Sequence, residues 1–167
     1  PKKYREQWLI PITYRTAEGL SKKILLPRRQ LSFSESSPWI KVNYHQHGFY
    51  RTEYSSELLS LLGEVVSRKM LSSLDAVGIE NDLFALMVSG RYSVKEYLSF
   101  VELYCPNAEY PLDANISGHL GWLFQAGYSE SFGADVRRVS LSFHRRMLGR
   151  LGWQRQSGEK NTRIAEC

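Results

Sequence analysis

The chain has 167 residues, 43% of them hydrophobic and 23% charged, and a formal net charge of +5, which is ordinary for one globular domain or two small ones. A chain of this length buries about 70% of the surface its unfolded form exposes, so it can build a core without disulfide staples. No apolar run approaches the roughly 20 residues that cross a bilayer, so no membrane-spanning helix is expected.

No signal peptide is expected, because Pro1-Lys2-Lys3-Tyr4 leads straight into mixed sequence. There is no initiator methionine, and residue 1 is expected to be a boundary or a cleavage point rather than a natural start. Cys105 and Cys167 make no disulfide framework and no Cys-x-x-Cys pair. Reduced thiols, and with them a cytoplasmic location, are the expectation.

Residues 1–54 read as strands. In Gln7–Thr13, Trp8, Ile10 and Ile12 alternate with Leu9, Pro11 and Thr13, a period of two. Pro11 lacks a ladder donor and predicts an edge or irregular strand. Leu20–Leu26 is the second candidate, after a turn at Glu18-Gly19 and before a stop at Pro27. A serine-rich loop from Ser32 to Pro38 leads into Trp39–Tyr44. His45-Gln46-His47-Gly48 then predicts a tight connection to a returning strand at Phe49–Tyr54, the strongest hairpin pattern in the sequence.

From Ser55 the apolar period becomes helical. Ser55 or Ser56 caps a helix with Leu58, Leu61, Leu62, Val65 and Val66 spaced three and four apart. Ser73 or Asp75 opens a second, with Ile79, Leu83, Leu86 and Met87 on one side and a stop at Gly90. Ser93 and Glu96 form a capping box ahead of Val94, Tyr97, Leu98 and Val101, with Cys105-Pro106 as the stop. A fourth helix runs from about Pro111 to Gln125. Its Gly118 and Gly121 each cost about 1 kcal/mol relative to alanine, so close packing against another helix is expected there. The fifth runs from Ala134 to Leu151, with Val136, Val139, Phe143 and Met147 inward, and ends at Gly152. Antiparallel pairs joined by short connections predict a stacked array of the HEAT/ARM kind, with its last apolar face uncovered. Trp153–Cys167 has no clear period.

The fold class expected is therefore α+β in sequential segments: a partial antiparallel β-sandwich over residues 1–54, then an α-helical hairpin array over residues 55–167.

No catalytic, cofactor-binding or metal-binding residues emerge from this reading. The histidines are His45, His47, His119 and His144, and none forms His-Glu-x-x-His. His45 and His47 could share a strand face, but with no further ligand nearby an exposed turn is the simpler reading. His144, beside Arg145 and Arg146, is expected to have a low pKa and a surface role. Glu80, Asn81 and Asp82 suit a solvated face or hydrogen bonding between helices better than acid–base work, which needs two separated pKa values. Cys105 has no evident base beside it. The sequon at Asn115-Ile116-Ser117 lies in a helical stretch and carries little weight. Residues 134–163 hold Arg137, Arg138, Arg145, Arg146, Arg150, Arg155, Lys160 and Arg163 against Asp135 and Glu159. That stretch could draw phosphate, yet no phosphate loop or aromatic RNA signature accompanies it, and nucleic acid is not the expected partner.

At Trp39–Tyr54, "WIKVNYHQHGFYRTEY" resembles the Trp-x-Lys-x-Asn-x-x-x-x-Gly-[Phe/Tyr]-[Tyr/Phe]-Arg-x-x-Tyr segment of the zinc-dependent aminopeptidases, the aminopeptidase N and puromycin-sensitive aminopeptidase family of gluzincins. "QWLIPITY" is similar to that family's Trp-x-[Ile/Val]-Pro-[Ile/Leu] strand. "LDAVGIENDLFALMVSGRYSVKEYLSF" is similar to the opening of its C-terminal helical domain, matching at Asp75, Ile79, Asp82, Phe84, Leu86 and Gly90, with Ala76 in place of the usual arginine. "NAEYPLDANISGHLGWL" parallels a further stretch without its tryptophan. "LGRLGWQRQSGEKNTRIAEC" parallels a Leu-Gly-Trp-x-x-x-x-Gly-Glu pattern without the Leu-Arg motif that follows it.

The resemblance implies a β-sandwich that follows a thermolysin-like catalytic domain and runs into the start of a C-terminal helical domain. It implies a non-catalytic piece of a zinc metallo-aminopeptidase that removes N-terminal amino acids from peptides. This piece would help to cap the catalytic cleft and would hinge around Tyr54–Ser56. Zinc and the His-Glu-x-x-His helix would lie in an upstream catalytic domain, the expected partner, with peptide as the substrate of the parent. The alternatives are a stand-alone helical module that binds an acidic protein or RNA through its basic helix, and a catalytically inactive family member kept for protein binding.

Overall fold

The computed structural model describes residues 9–19, 21–27, 29–104, 110–127 and 130–152. The expectations at Gln7, Trp8, Leu20, Cys105-Pro106 and Trp153–Cys167 lie outside them.

Three strands come first: β1 (Ile10–Thr16), β2 (Ser21–Leu26) and β3 (Ile40–Val42), in the antiparallel order β2-β1-β3. The hairpin is β1–β2, with Ile12 opposite Ile24. Gly19 sits in its turn at φ 78°, a left-handed backbone that glycine adopts without penalty. Along β1 the period of two holds, since Tyr14 and Thr16 are buried while Pro11 is exposed. Pro11 does not mark an edge strand, because β1 is central. It is tolerated there because β3 pairs only with Tyr14–Thr16, so Pro11 lies beyond the doubly paired stretch.

The hairpin expected over Trp39–Tyr54 does not form. Asn43 takes a left-handed backbone (φ 57°, ψ 49°) and stops β3 after three residues. A 3-10 turn follows at Tyr44–Gln46, with His45 and Gln46 also left-handed at φ 59° and 54°. Asparagine suits that region, whereas the other two cost about 1 kcal/mol or more each. The Tyr54 hydroxyl then takes the place of a returning strand: it accepts from Val42 N at 3.0 Å and faces Val42 O at 3.4 Å.

Among the described residues five helices follow: α1 (Ser56–Ser67), α2 (Ser73–Val88), α3 (Val94–Tyr104), α4 (Tyr110–Ala126) and α5 (Gly133–Leu151). Ser55 caps α1 by accepting from Leu58 N. Ser72, not Ser73, caps α2 by accepting from Asp75 N. Ser93 and Glu96 close the capping box at 2.8 and 3.2 Å. α1 packs on α3, α3 on α5 and α2 on α4, so the rows are α1-α3-α5 and α2-α4, with α2·α3 and α4·α5 contacts between them. The closest packing thus joins alternate helices rather than only sequence neighbours.

The stripes differ from expectation in detail. Leu59 is buried and Leu61 is exposed while Leu62, Val65 and Val66 are buried as expected, so the inward face of α1 is turned by less than the spacing of one residue. Phe100 joins Tyr97, Leu98 and Val101 in the core, because α3 is covered by both α1 and α5. Gly118 and Gly121 face open space, not a close helix. Close approach occurs instead at Gly63, where an added Cβ would stand 3.3 Å from Leu103 Cβ. One continuous apolar cluster joins all five helices and takes in Trp39 and Tyr54 from the segment before them.

Candidate functional site

The polar groups of this protein converge on α2. One of its stripes is Asp75, Gly78 and Asp82, spaced three and four residues apart, and all three are buried. Everything on this stripe faces the strand segment.

Asp75 is fully buried and lies 3.0 Å from the Lys41 ammonium, itself 1% exposed. Lys41 also donates to Asn43 O at 2.6 Å. Asp75 accepts from His45 N at 2.8 Å and from the Ser72 hydroxyl at 2.7 Å, so both oxygens are used. Burial pulls the Lys41 ammonium below its ordinary range, and the Asp75 charge opposes that pull. Gly78 has no side chain because Gln46 occupies that volume: a Cβ there would overlap the Gln46 amide. Asp82 accepts from Thr52 N at 2.9 Å and pairs with Arg51 at 3.2 Å, and burial pushes its carboxyl up against those favourable contacts.

The segment leading into α1 is fastened as well. Tyr54 N donates to the Tyr92 hydroxyl at 2.7 Å, which donates back to Tyr54 O at 2.6 Å. Glu53 pairs with Arg91, and Ser56 donates to Glu96 at 2.9 Å. Tyr54–Ser56 is therefore a clamped crossing, not the expected hinge.

A second polar centre lies between helices. Glu80, on α2 and fully buried, accepts from the Tyr97 hydroxyl at 2.6 Å and meets His119 Nδ1 at 2.7 Å and the Asn115 amide. The His119 ring stacks on Phe84 at 3.6 Å between centroids. Burial and the Glu80 charge hold the Tyr97 hydroxyl well above its usual range. Glu80, Asn81 and Asp82 thus work as hydrogen-bonding partners, the reading favoured over acid–base work. They are not solvated, however. Asn115 of the sequon is occupied here, and Ser117 meets His144 Nε2 at 2.9 Å. His144 also meets Ser140 O at 2.8 Å, so it ties α4 to α5 instead of serving the surface.

Among the described residues the buried charges of these centres are closed to solvent. Lys41, Asp75 and Glu80 have no exposed surface for a substrate to reach. The groove of about 500 Å³ beside Phe33, Glu35, Trp39 and Leu58 does not include them, nor does the 250 Å³ groove between α1 and α3. Among the described residues no three His, Cys, Asp or Glu side chains could hold a metal ion. His45 and His47 are exposed, 5.6 Å apart between ring centroids, and lie in and just after a helical turn rather than on a strand. On α5 two cations are answered within the chain, Arg138 by Glu102 and Arg150 by Asp113. No helix among the described residues is long and apolar enough to cross a membrane.

The sequence signal for the α2 platform was the Asp75, Gly78, Asp82 spacing itself, a polar and small stripe at the interval usually taken by apolar residues. Lys41 carried no comparable signal, since its partner lies on a distant element.

Comparison with known proteins extends this picture. The sequence profile of the ERAP1-like C-terminal domain matches residues 39–165. The match begins at Trp39, the first buried residue of the apolar cluster in chain order. Aminopeptidase M1-A of Oryza sativa subsp. japonica is 28% identical over 92% of this chain and 19% of its own length. Puromycin-sensitive aminopeptidase of Caenorhabditis elegans is 29% identical over 95% of this chain and 18% of its own. Tricorn protease-interacting factor F2 of Thermoplasma acidophilum is 30% identical over 92% and 18%. The chain spans about a fifth of the length of the curated relatives it matches.

Proposed function

This chain belongs to the ERAP1-like C-terminal domain family, and from that premise we propose that it is the non-catalytic C-terminal region of a zinc metallo-aminopeptidase that removes N-terminal residues from peptides. The observation that carries the reading is the match over residues 39–165, together with relatives that are themselves named aminopeptidases. The residues described here do not fit a zinc site. The metal and the chemistry would belong to an upstream catalytic domain, the partner of this region within one polypeptide. Residues 1–54 would complete part of a β-sandwich, and residues 55–167 would begin a helical array that caps the cleft.

What this chain contributes is rigidity. The Asp75-Gly78-Asp82 stripe binds the strand segment to α2, and Tyr92 binds the crossing to the connection between α2 and α3, so strands and helices move together. Such a body can hold a fixed wall at a cleft entrance, where a jointed one could not.

The test has two arms. Purified alone, the chain should hydrolyse no aminoacyl-naphthylamide and hold no stoichiometric zinc by elemental analysis. The longer polypeptide that includes it should hydrolyse those substrates and stop when chelated. One zinc equivalent in the isolated chain, with activity abolished by chelation, would overturn the proposal.

A further inference from the structure

α4 packs on α5, and between them Ser117 and His144 are each half-buried. The Ser117 hydroxyl lies 2.9 Å from His144 Nε2, and His144 Nδ1 lies 2.8 Å from the carbonyl oxygen of Ser140, one turn earlier on α5. A carbonyl only accepts, so Nδ1 carries a proton. In the neutral ring Nε2 then holds a lone pair, and the Ser117 hydroxyl donates to it. The Phe143 ring meets the imidazole edge-on at 5.2 Å between centroids, which adds a packing contact to the two polar ones.

A serine bonded to the basic nitrogen of a histidine, whose other nitrogen is held by an acceptor, is the arrangement that activates a hydroxyl for attack. A bond that merely ties two helices needs neither a fixed tautomer nor an approach to the serine, and both are found here. The approach is made by small residues. Gly118 follows Ser117, Ala114 and Gly121 stand about one turn to either side, and all three are exposed. A Cβ at Gly118 or Gly121 would meet nothing within 4 Å, so a small molecule has room beside Ser117.

We propose that Ser117 is a nucleophile that accepts the acyl group of an activated carboxylic ester, with His144 as its base and the Ser140 carbonyl positioning the ring. Ser117 Oγ bonds to the acyl carbon as its proton passes to His144 Nε2. The ester C–O bond then breaks, the alcohol departs with that proton, and an acyl-serine remains. α4 is unbroken from Tyr110 to Ala126, so the N–H groups around Ser117 are spent within the helix and offer no oxyanion hole. The reaction is therefore confined to esters with good leaving groups, and amides are left intact. It needs no zinc and no other domain, so it stands whether or not the longer polypeptide is an aminopeptidase.

The chain is treated with p-nitrophenyl acetate, and acetylated residues are quantified by mass spectrometry. Ser117 should be acetylated faster than Ser60 and Ser99, exposed serines of α1 and α3. His144→Gln, which can keep a hydrogen bond but cannot take the proton, should slow acetylation of Ser117 by roughly 100-fold or more. Ser117→Ala should remove the label at that peptide. Unchanged labelling in His144→Gln, at an unshifted urea midpoint, overturns the proposal. If that variant fails to fold, the wild-type comparison decides alone: a rate at Ser117 no greater than at Ser60 and Ser99 overturns it, as does acetyl found only on lysines.

Discussion

Between Ile10 and Ser56 the chain is held chiefly by directional polar bonds, whereas from Leu59 onward it is held by apolar stripes in two rows of helices. In the first region each stabilising group has a named partner: Lys41 has Asp75, Thr52 has Asp82, Val42 has Tyr54. In the second, Leu62, Ile116, Leu120, Val136 and Val139 are each buried without any such pairing. The difference follows from size. The third strand is only three residues long and few side chains of the sheet are buried, so the sheet takes its position from α2, through polar bonds. Polar bonds fail abruptly when one partner is removed, while an apolar core fails in proportion to the volume lost.

The largest expected effect tests that contrast directly. Lys41→Met leaves the Asp75 carboxylate buried without its cation, and should cost roughly 3–5 kcal/mol. Leu62→Ala in α1 should cost roughly 2–5 kcal/mol through lost burial and a cavity. The two differ in how they can be repaired. Adding Asp75→Leu to Lys41→Met should restore part of the loss, because no charge is then left unpaired, although His45 N and Ser72 lose an acceptor. Urea midpoints for the single and double variants measure this, and a Lys41→Met loss below about 1 kcal/mol would show that the pair does not fasten the sheet.

A smaller effect is expected where a tyrosine hydroxyl stands in for backbone. Tyr54→Phe keeps the ring but strips both bonds from Val42, and Tyr92→Phe strips both from Tyr54. Each should lose about 1–3 kcal/mol. If the crossing were instead a loose hinge, hydrogen exchange at Tyr54 N would be fast in the parent and unchanged in Tyr92→Phe.

These same places separate what the sequence made legible from what it did not. Ser55, the Ser93–Glu96 box and Gly152 mark helix ends through chemistry within four residues, and each is found where expected or within one residue. The switch from period two to helical period is local for the same reason, and α+β order could be read from it. The Trp39–Tyr54 hairpin was misread because its alternation is real but serves a loop: Asn43 turns the backbone, and the inward residues bond to β1 and α2 instead of to a returning strand. Leu59 and Phe100 were missed because their burial depends on which helices lie opposite. The candidate site was the least legible part, since Lys41 finds its charge partner on a helix far along the chain.

Two carboxylates of the helical region, one buried within it and one beside the crossing, should answer acid with opposite signs. Burial raises the Asp113 carboxyl of α4 above its ordinary value of 3.8, against the pull of Arg150, so folded protein binds that proton more readily than unfolded. Its contribution to stability therefore declines as pH rises from 3.8 through the folded value. Glu96, at the crossing, is lowered from 4.5 by the Ser93 N–H and by the Ser93 and Ser56 hydroxyls. Its contribution is present above 4.5 and is lost as pH falls through the folded value. Wild type minus Asp113→Asn and wild type minus Glu96→Gln, each followed by urea unfolding across this range, should slope in opposite directions. Parallel slopes would mean that the two carboxylates share one environment after all.

The smallest effect uses glycines to ask which helix faces are open. Gly118→Ala and Gly121→Ala add a methyl group to α4 where nothing stands within 4 Å, so each should stabilise the chain by about 0.5–1 kcal/mol through reduced backbone freedom in the unfolded state. Gly78→Ala has the same local benefit but drives a Cβ into the Gln46 amide, and should cost about 1–3 kcal/mol as Gln46 is displaced from α2. The sign change between adjacent helices would place the tight seam at the strand junction and leave the outer face of α4, with exposed Trp122 beside it, uncrowded. The same pair of substitutions in a longer polypeptide sharpens the point. If Gly118→Ala and Gly121→Ala turn destabilising there, the close helix packing that two glycines in one helix predict is made by an element outside these residues. If both remain stabilising, that face of α4 stays open and its glycines serve no contact.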